Sequence, residues 1–183
     1  LGIETPIEIV PNGVDLSEYK AIPQSEALAQ RKGPNYVFPG KMDFRPNVDA
    51  ATWFAREVFP NIRQRLPEAT FWVVGSHPVK EVKELAALPN VQVTGAVRDA
   101  RPYIAGATAV VVPLRMGGGT KLKILEGAAL ARPLVVTSIG AEGYPVVHER
   151  DALVADTADA LATACLSVAN NPVRAAALGD NAY

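Results

Sequence analysis

Cysteine is nearly absent from this 183-residue chain. Cys165 is the only one, so no internal disulfide can form, and its place in the helical pattern "ALATACLSVA" predicts a small core filler in a reducing compartment. A surplus of either charge is missing as well. Eighteen Lys and Arg against 19 Asp and Glu leave a formal net charge of −1, which removes the global basic field of nucleic-acid binders; an anion has to be caught locally. No apolar run approaches the roughly 18 residues of a membrane span, and residues 1 to 15 show no basic segment leading into an apolar one. On these grounds the expected location is cytoplasmic. Also missing are D-x-D, H-E-x-x-H, C-x-x-C and G-x-S-x-G, and the two histidines, His77 and His148, have no partner at ligand-like spacing. Metal or elbow-serine catalysis is not expected.

What is present is a 49% hydrophobic, 20% charged composition suited to a folded domain with a sizeable core. Six β-rich runs recur, at Tyr36–Pro39, Thr70–Val74, Val91–Val93, Thr108–Val112, Leu134–Thr137 and Leu153–Ala155. "TAVVVP" and "PLVVT" are almost continuously apolar, as strands buried on both faces are. Helical patterns fall between them: "NVDAATWFAREVFPNIRQRL", which Pro60 should break or kink, then "PVKEVKELAAL", "RDARPYIAG", "GTKLKILEGAALA" and "TADALATACLSVANN". Strand and helix in alternation predict a doubly wound, Rossmann-like α/β domain with a parallel sheet of about six strands over residues 35–183. Residues 1–34, with a short strand in "IEIVPNGVD" and a polar, Pro/Gly-punctuated remainder, read as a lead-in and linker. The apolar start without Met predicts a piece of a longer protein.

Ligands of open parallel sheets bind beyond the carboxyl ends of the strands. Three of these ends are glycine-bearing, "VFPGKMDFRPN", "VVGSHP" and "VVVPLRMGGGTK", and should line one crevice. The third is the best anion site, because its glycines let backbone N–H groups converge at a helix N-terminus beside Lys121 and Lys123. It is neither a P-loop, since Thr120 precedes Lys121, nor a G-x-G-x-x-G turn, since the first strand ends on Gly40 alone. Lys123 and Glu126 share a helix face. Either they form a surface pair, or Glu126 accepts hydrogen bonds from ligand hydroxyls while Lys123 neutralises phosphate. Lys41 and Arg45 flank the first strand end and are candidate phosphate contacts, while Asn47 reads as cap chemistry for the helix that follows.

Taken in order, "PNGVD", "FPGKMDFRPNVDA", "VVGSHP", "VTGAVRD" and "PLRMGGGTKLKILEGAALARPLVVTSIGAEGY" resemble the C-terminal, donor-binding domain of group 1 (family 4) glycosyltransferases of GT-B fold, from about Ile7 to at least Ala155. The last segment is the specific one. The resemblance implies a nucleotide-sugar site in which Glu126, matching the second acid of a Glu-x7-Glu motif, binds the ribose hydroxyls. Gly119, Thr120 and Lys121 would hold donor sugar and phosphate through the loop backbone, with Lys123 beside them. Lys41 and Arg45 would contact the diphosphate, and Ala96, Val97 and Arg98 would receive the base. Two departures stand out: Gly118 occupies the place of the first acid of that motif, and Gly40-Lys41 replaces the usual Gly-Arg.

The resemblance further implies retaining, metal-independent transfer from a nucleoside diphosphate sugar to a glycan or lipid. The acceptor would be held by the protein's own N-terminal domain, so the isolated chain is expected to be inactive. Peripheral membrane association would belong to the full-length protein only, and no nucleic acid is expected as a partner. Two other readings stay open, a nucleotide-sugar epimerase of GT-B type and a non-catalytic α/β binding module.

Overall fold

The computed structural model describes Glu8 and residues 12–183; the strand expected in "IEIV" falls largely outside the described residues. Among the described residues six strands form one sheet: β1 Asn35–Pro39, β2 Thr70–Val74, β3 Val91–Val93, β4 Ala109–Val112, β5 Leu134–Val136 and β6 Leu153–Val154. Every pairing is parallel and the spatial order is β3-β2-β1-β4-β5-β6. β1, β2, β4 and β5 are buried at every position, which is why their sequences read as unbroken apolar runs.

The helices are α1 Glu26–Ala29, α2 Arg45–Trp53, α3 Phe59–Arg65, α4 Lys80–Glu84, α5 Arg101–Ala105, α6 Leu122–Ala129, α7 Ser138–Ala141, α8 Ala158–Asn170 and α9 Pro172–Ala182. Packing of α2 on α4 and of α3 on α8 makes one layer, and packing of α6 on α5 and α9 makes the other. On the first face Phe54, Phe59 and Phe71 form a cluster with ring centroids 4.6 to 6.5 Å apart. On the second, Trp72 lies 5.9 Å from Tyr103. The sequence pattern gives no clear signal for α9: its Ala-rich stretch after Pro172 buries only Leu178 and Gly179, too narrow a stripe to stand out.

Pro60 breaks the helical run in a particular way. Lacking an N–H, it cannot continue the i to i−4 ladder, and the chain widens into a π turn over Phe54–Val58, with Phe59 N–H bonding to Phe54 O five residues back. α2 and α3 are thereby joined without a loop, and Phe54, Val58, Phe59 and Ile62 all reach the core.

Cys165 is a buried free thiol on α8, as its apolar setting predicted, and burial pushes its ionisation up. Its backbone carbonyl accepts from the Tyr36 hydroxyl at 2.9 Å, tying α8 to the central strand. Tyr36→Phe deletes this one buried bond without opening a cavity. It is expected to cost about 1 kcal/mol and lower the melting midpoint by about 2–4 °C in a calorimetric scan.

The described part of the lead-in packs along the second layer. Leu28 is buried in the core, Ser25 N–H bonds to Pro102 O at 2.8 Å, and Arg101 reaches back to Glu18 O at 2.8 Å. Asp15 caps a short 3-10 turn over Leu16–Tyr19, and Asn12 donates to the Thr120 hydroxyl on the glycine loop.

Candidate active site at the strand-order reversal

Among the described residues the strand order reverses between β1 and β4, where successive crossovers leave a crevice beyond the strand ends. A cavity of about 480 Å³ opens there, lined by residues of all three glycine-bearing strand ends, Gly40 of the first, Gly75 and Ser76 of the second, Gly117, Gly118 and Thr120 of the third. Gly75 packs directly on the Gly40 carbonyl, so the ends of β1 and β2 close into a floor that no side chain could cross.

α6 brings two ionisable side chains to the cavity. It starts at the cavity and presents Lys123 and Glu126 to it, one turn apart. Its Lys123 stem is half-buried, but the ammonium is tucked against β1: Nζ lies 2.8 Å from Asn47 Oδ1 and 4.2 Å from the centroid of the Phe38 ring. Burial lowers its pKa to about 7, opposed in part by the Glu126 carboxylate. Glu126 moves the other way. Burial raises it, Lys123 pulls it back down, and Asp99 and Arg101 act on it with opposite signs from the start of α5. The pair therefore belongs to the cavity and not to a solvated surface, and among the described residues no carboxylate forms an ion pair with Lys123.

The other basic residues are elsewhere. Lys121 is buried, but its ammonium is held by Glu142 Oε2 at 3.1 Å, so the residue lines the cavity with its amino group already partnered. Lys41 is turned to solvent on Asp43 at 3.3 Å, Arg45 is exposed, and neither lines the cavity. Arg115, in the loop after β4, makes a bidentate pair with Asp49 at 2.6 and 3.0 Å and lies 5.0 Å over the Trp53 ring, which anchors the loop to α2. Of the segment expected to receive a base, Val97 lines the cavity, while Ala96 and Arg98 are exposed outside it. Gly119 also stands outside the lining.

Asn47 is not a cap. α2 begins at Arg45 with Phe44 at the N-cap, because Pro46 fits the first turn, and this places Asn47 inside the helix facing the cavity. Spacing along the chain could not show this, since its partner Lys123 is 76 residues away. Gly118 has ordinary backbone angles and an added Cβ would meet nothing within 4 Å, so the missing carboxylate of this loop reflects neither crowding nor backbone strain. Phe44, Met116 and Leu122 add an apolar rim that the sequence did not single out. His77 does not line the cavity, and His148 is occupied as an acceptor for Val154 N–H at 2.9 Å. Among the described residues no helix is long and apolar enough to cross a membrane.

Comparison with known proteins places this chain in a family. A search of curated protein sequences finds no match. Among solved structures, TarM of S. aureus, crystallised with fondaparinux, α-GlcNAc-glycerol and UDP, superposes with a TM-score of 0.75 at 18% identity, covering 98% of this chain and 36% of its own. HepE of Anabaena, in complex with UDP and glucose, gives 0.70 at 13% identity, covering 93% of this chain and 49% of its own. The C-terminal domain of the Francisella tularensis group 1 glycosyltransferase LpcC gives 0.68 at 17% identity, with 93% of this chain and 95% of that domain covered. This chain therefore spans from about a third to half of the first two proteins, and at these identities the likeness concerns the fold, one Rossmann-like half of the GT-B architecture. The sequence model for "Glycosyl transferases group 1" matches residues 33–171, three quarters of the chain, and on that match the protein belongs to the group 1 glycosyltransferases.

Proposed function

We propose that the cavity at the β1/β4 reversal binds the nucleoside diphosphate sugar of a retaining, metal-independent transferase. The observation that carries this reading is the pairing of one buried, unneutralised ammonium with one half-buried carboxyl, three residues apart at a helix N-terminus that faces the cavity. An anion suits the Lys123 ammonium and the backbone N–H groups at the start of α6, where the helix dipole adds partial positive charge. Vicinal ribose hydroxyls suit the Glu126 carboxylate. In this reading these groups fix a ribose and a diphosphate in one orientation, with the base toward Val97 and the sugar toward the glycine loop, both of which contribute to the cavity lining. Solved structures of similar fold that contain UDP support the same class of ligand.

In catalysis the ammonium and the helix N-terminus stabilise the diphosphate as it leaves, without a metal. The acceptor, a glycan or lipid, is held by a second domain outside this chain, so this chain alone binds donor without transferring it. The work is done in the cytoplasm, where nucleotide sugars are supplied.

Calorimetric titration with UDP, GDP and ADP tests the site. One of the three is expected to bind, and Glu126→Ala to weaken it by about ten- to a hundredfold, the worth of charge-assisted hydrogen bonds to two hydroxyls. Equal affinity in wild type and Glu126→Ala removes the assignment.

A further inference from the structure

We propose that Asn47 is a positioning residue for the donor: its side-chain amide holds the Lys123 ammonium at the end of β1 as an uncharged partner, and so leaves the full positive charge to the diphosphate. This rests on the reading of the cavity as a nucleotide-sugar site.

Asn47 is 7% exposed and its orientation is fixed from both sides. Its Nδ2 donates to Lys41 O at 2.9 Å, and its Oδ1 accepts from Lys123 Nζ at 2.8 Å. Turning the amide over would set oxygen against carbonyl and NH2 against ammonium, so hydrogen bonding allows one arrangement only. Gly40 completes the enclosure. A Cβ there would lie 2.8 Å from Asn47 Nδ2 and 3.1 Å from Lys123 Nζ, so only glycine lets amide and ammonium come this close to the strand end. The Phe38 ring lies 4.2 Å from the ammonium on β1.

The choice of an amide matters. An aspartate at the same place would bond Lys123 equally well and cancel its charge, and it would repel the Lys41 carbonyl. Without any partner, a side chain with four rotatable bonds would fold toward Glu126, one turn along, and the two charges would neutralise each other instead of dividing phosphate and hydroxyls between them. The clamp keeps cation and carboxylate apart.

An uncompensated ammonium binds anions only while it is protonated. The charged groups near it are few: Glu126 on its own helix, with Asp99 and Arg101 of the α5 entry and Tyr19 of the lead-in ranged around that carboxyl. From α2 and β1 the neighbours are neutral, Asn47, Gly40 and Phe38, with Lys41 turned out onto Asp43. A bound diphosphate draws a proton onto Lys123, so donor affinity falls as pH rises through neutrality.

The test uses the same chain, wild type, Asn47→Asp, Asn47→Ala and Glu126→Ala. Each is titrated calorimetrically with UDP-glucose, GDP-mannose and ADP-glucose, whose diphosphates do not themselves titrate between about pH 6.5 and 8.5. Thermal melts confirm folding, and an NMR titration of the 13Cε-labelled lysines follows Lys123 without ligand. Wild type is expected to lose about ten- to thirtyfold in affinity across that interval. Asn47→Asp is expected to bind about tenfold more weakly at the lower pH, to lose most of the pH dependence, and to shift the Lys123 titration upward by more than about one unit. Asn47→Ala weakens binding at both pH values. Wild-type affinity, pH profile and lysine titration in both Asn47 variants overturn the proposal alone. A wild type that binds none of the three probes, or a Glu126→Ala chain that binds as well as wild type, overturns the cavity reading and the proposal with it.

Discussion

Replacing Lys123 by methionine is expected to make the chain more stable while removing its hold on nucleotides. In the unfolded chain this lysine keeps its ordinary value of 10.5, whereas burial lowers it to about 7 in the folded one. Between those two pH values the unfolded chain holds a proton that the folded chain has given up, so stability rises with pH across the interval and the penalty is largest below about pH 7. Methionine fills the same stem volume without a charge. Allowing for a partly wetted ammonium and for the Asn47 oxygen left without its donor, the gain near pH 6.5 is on the order of 2 kcal/mol, or about 4–8 °C in melting midpoint. Near pH 10 the advantage should nearly vanish, which melts at the two pH values can show. A methionine variant that melts lower than wild type at pH 6.5 contradicts a penalised ammonium.

Gly75→Ala, one residue past the end of β2, is expected to be the most damaging single added methyl at the strand ends. The added carbon runs into the Gly40 carbonyl, and because both partners are backbone no rotamer change relieves the contact. A loss of about 3 kcal/mol or more in urea unfolding is expected. Gly40 also gives Asn47 and Lys123 their approach, so moving it shifts the ammonium, and nucleotide affinity falls along with stability. Gly118→Ala is the contrasting control on the glycine loop. It adds its methyl to open space at ordinary backbone angles, and its stability should stay within about 0.5 kcal/mol of wild type. Equal losses from the two alanines would contradict the tight contact at Gly75 and the open space at Gly118.

The strands were legible because burial on both faces makes β1, β2, β4 and β5 predominantly apolar, and each observed strand lies within a residue of its expected bounds. The convergence of the three glycine-bearing ends was legible for a topological reason: parallel strands all end on one side. Side-chain direction was not. Lys41, Arg45 and Lys121 look like Lys123 in sequence, yet the first is paired with Asp43, the second is exposed, and the third is held by a carboxylate 21 residues on. Which cation faces the cavity depends on partners brought in by the fold, and no spacing encodes that. Asn47 shows the same limit. Read locally, beside Pro46, it suits a cap; only the approach of α6 gives its amide a cation to hold.

The strand order that opens the crevice also constrains how the chain can fold. β1 lies at the centre, and its inner neighbour on one side is β4, so that Asn35 N–H meets the Thr108 hydroxyl across 73 residues of chain. β1 and β2 can pair as soon as the first crossover closes, but the other edge of β1 stays bare until two further helices and β3 have been placed. During synthesis or refolding, a fully buried and mostly apolar strand therefore spends its early life with half of its hydrogen-bonding edge unmet. The late closure of a long loop makes this a slow-folding topology, and it makes aggregation through β1 the hazard that accompanies having a binding crevice at this place in the sheet.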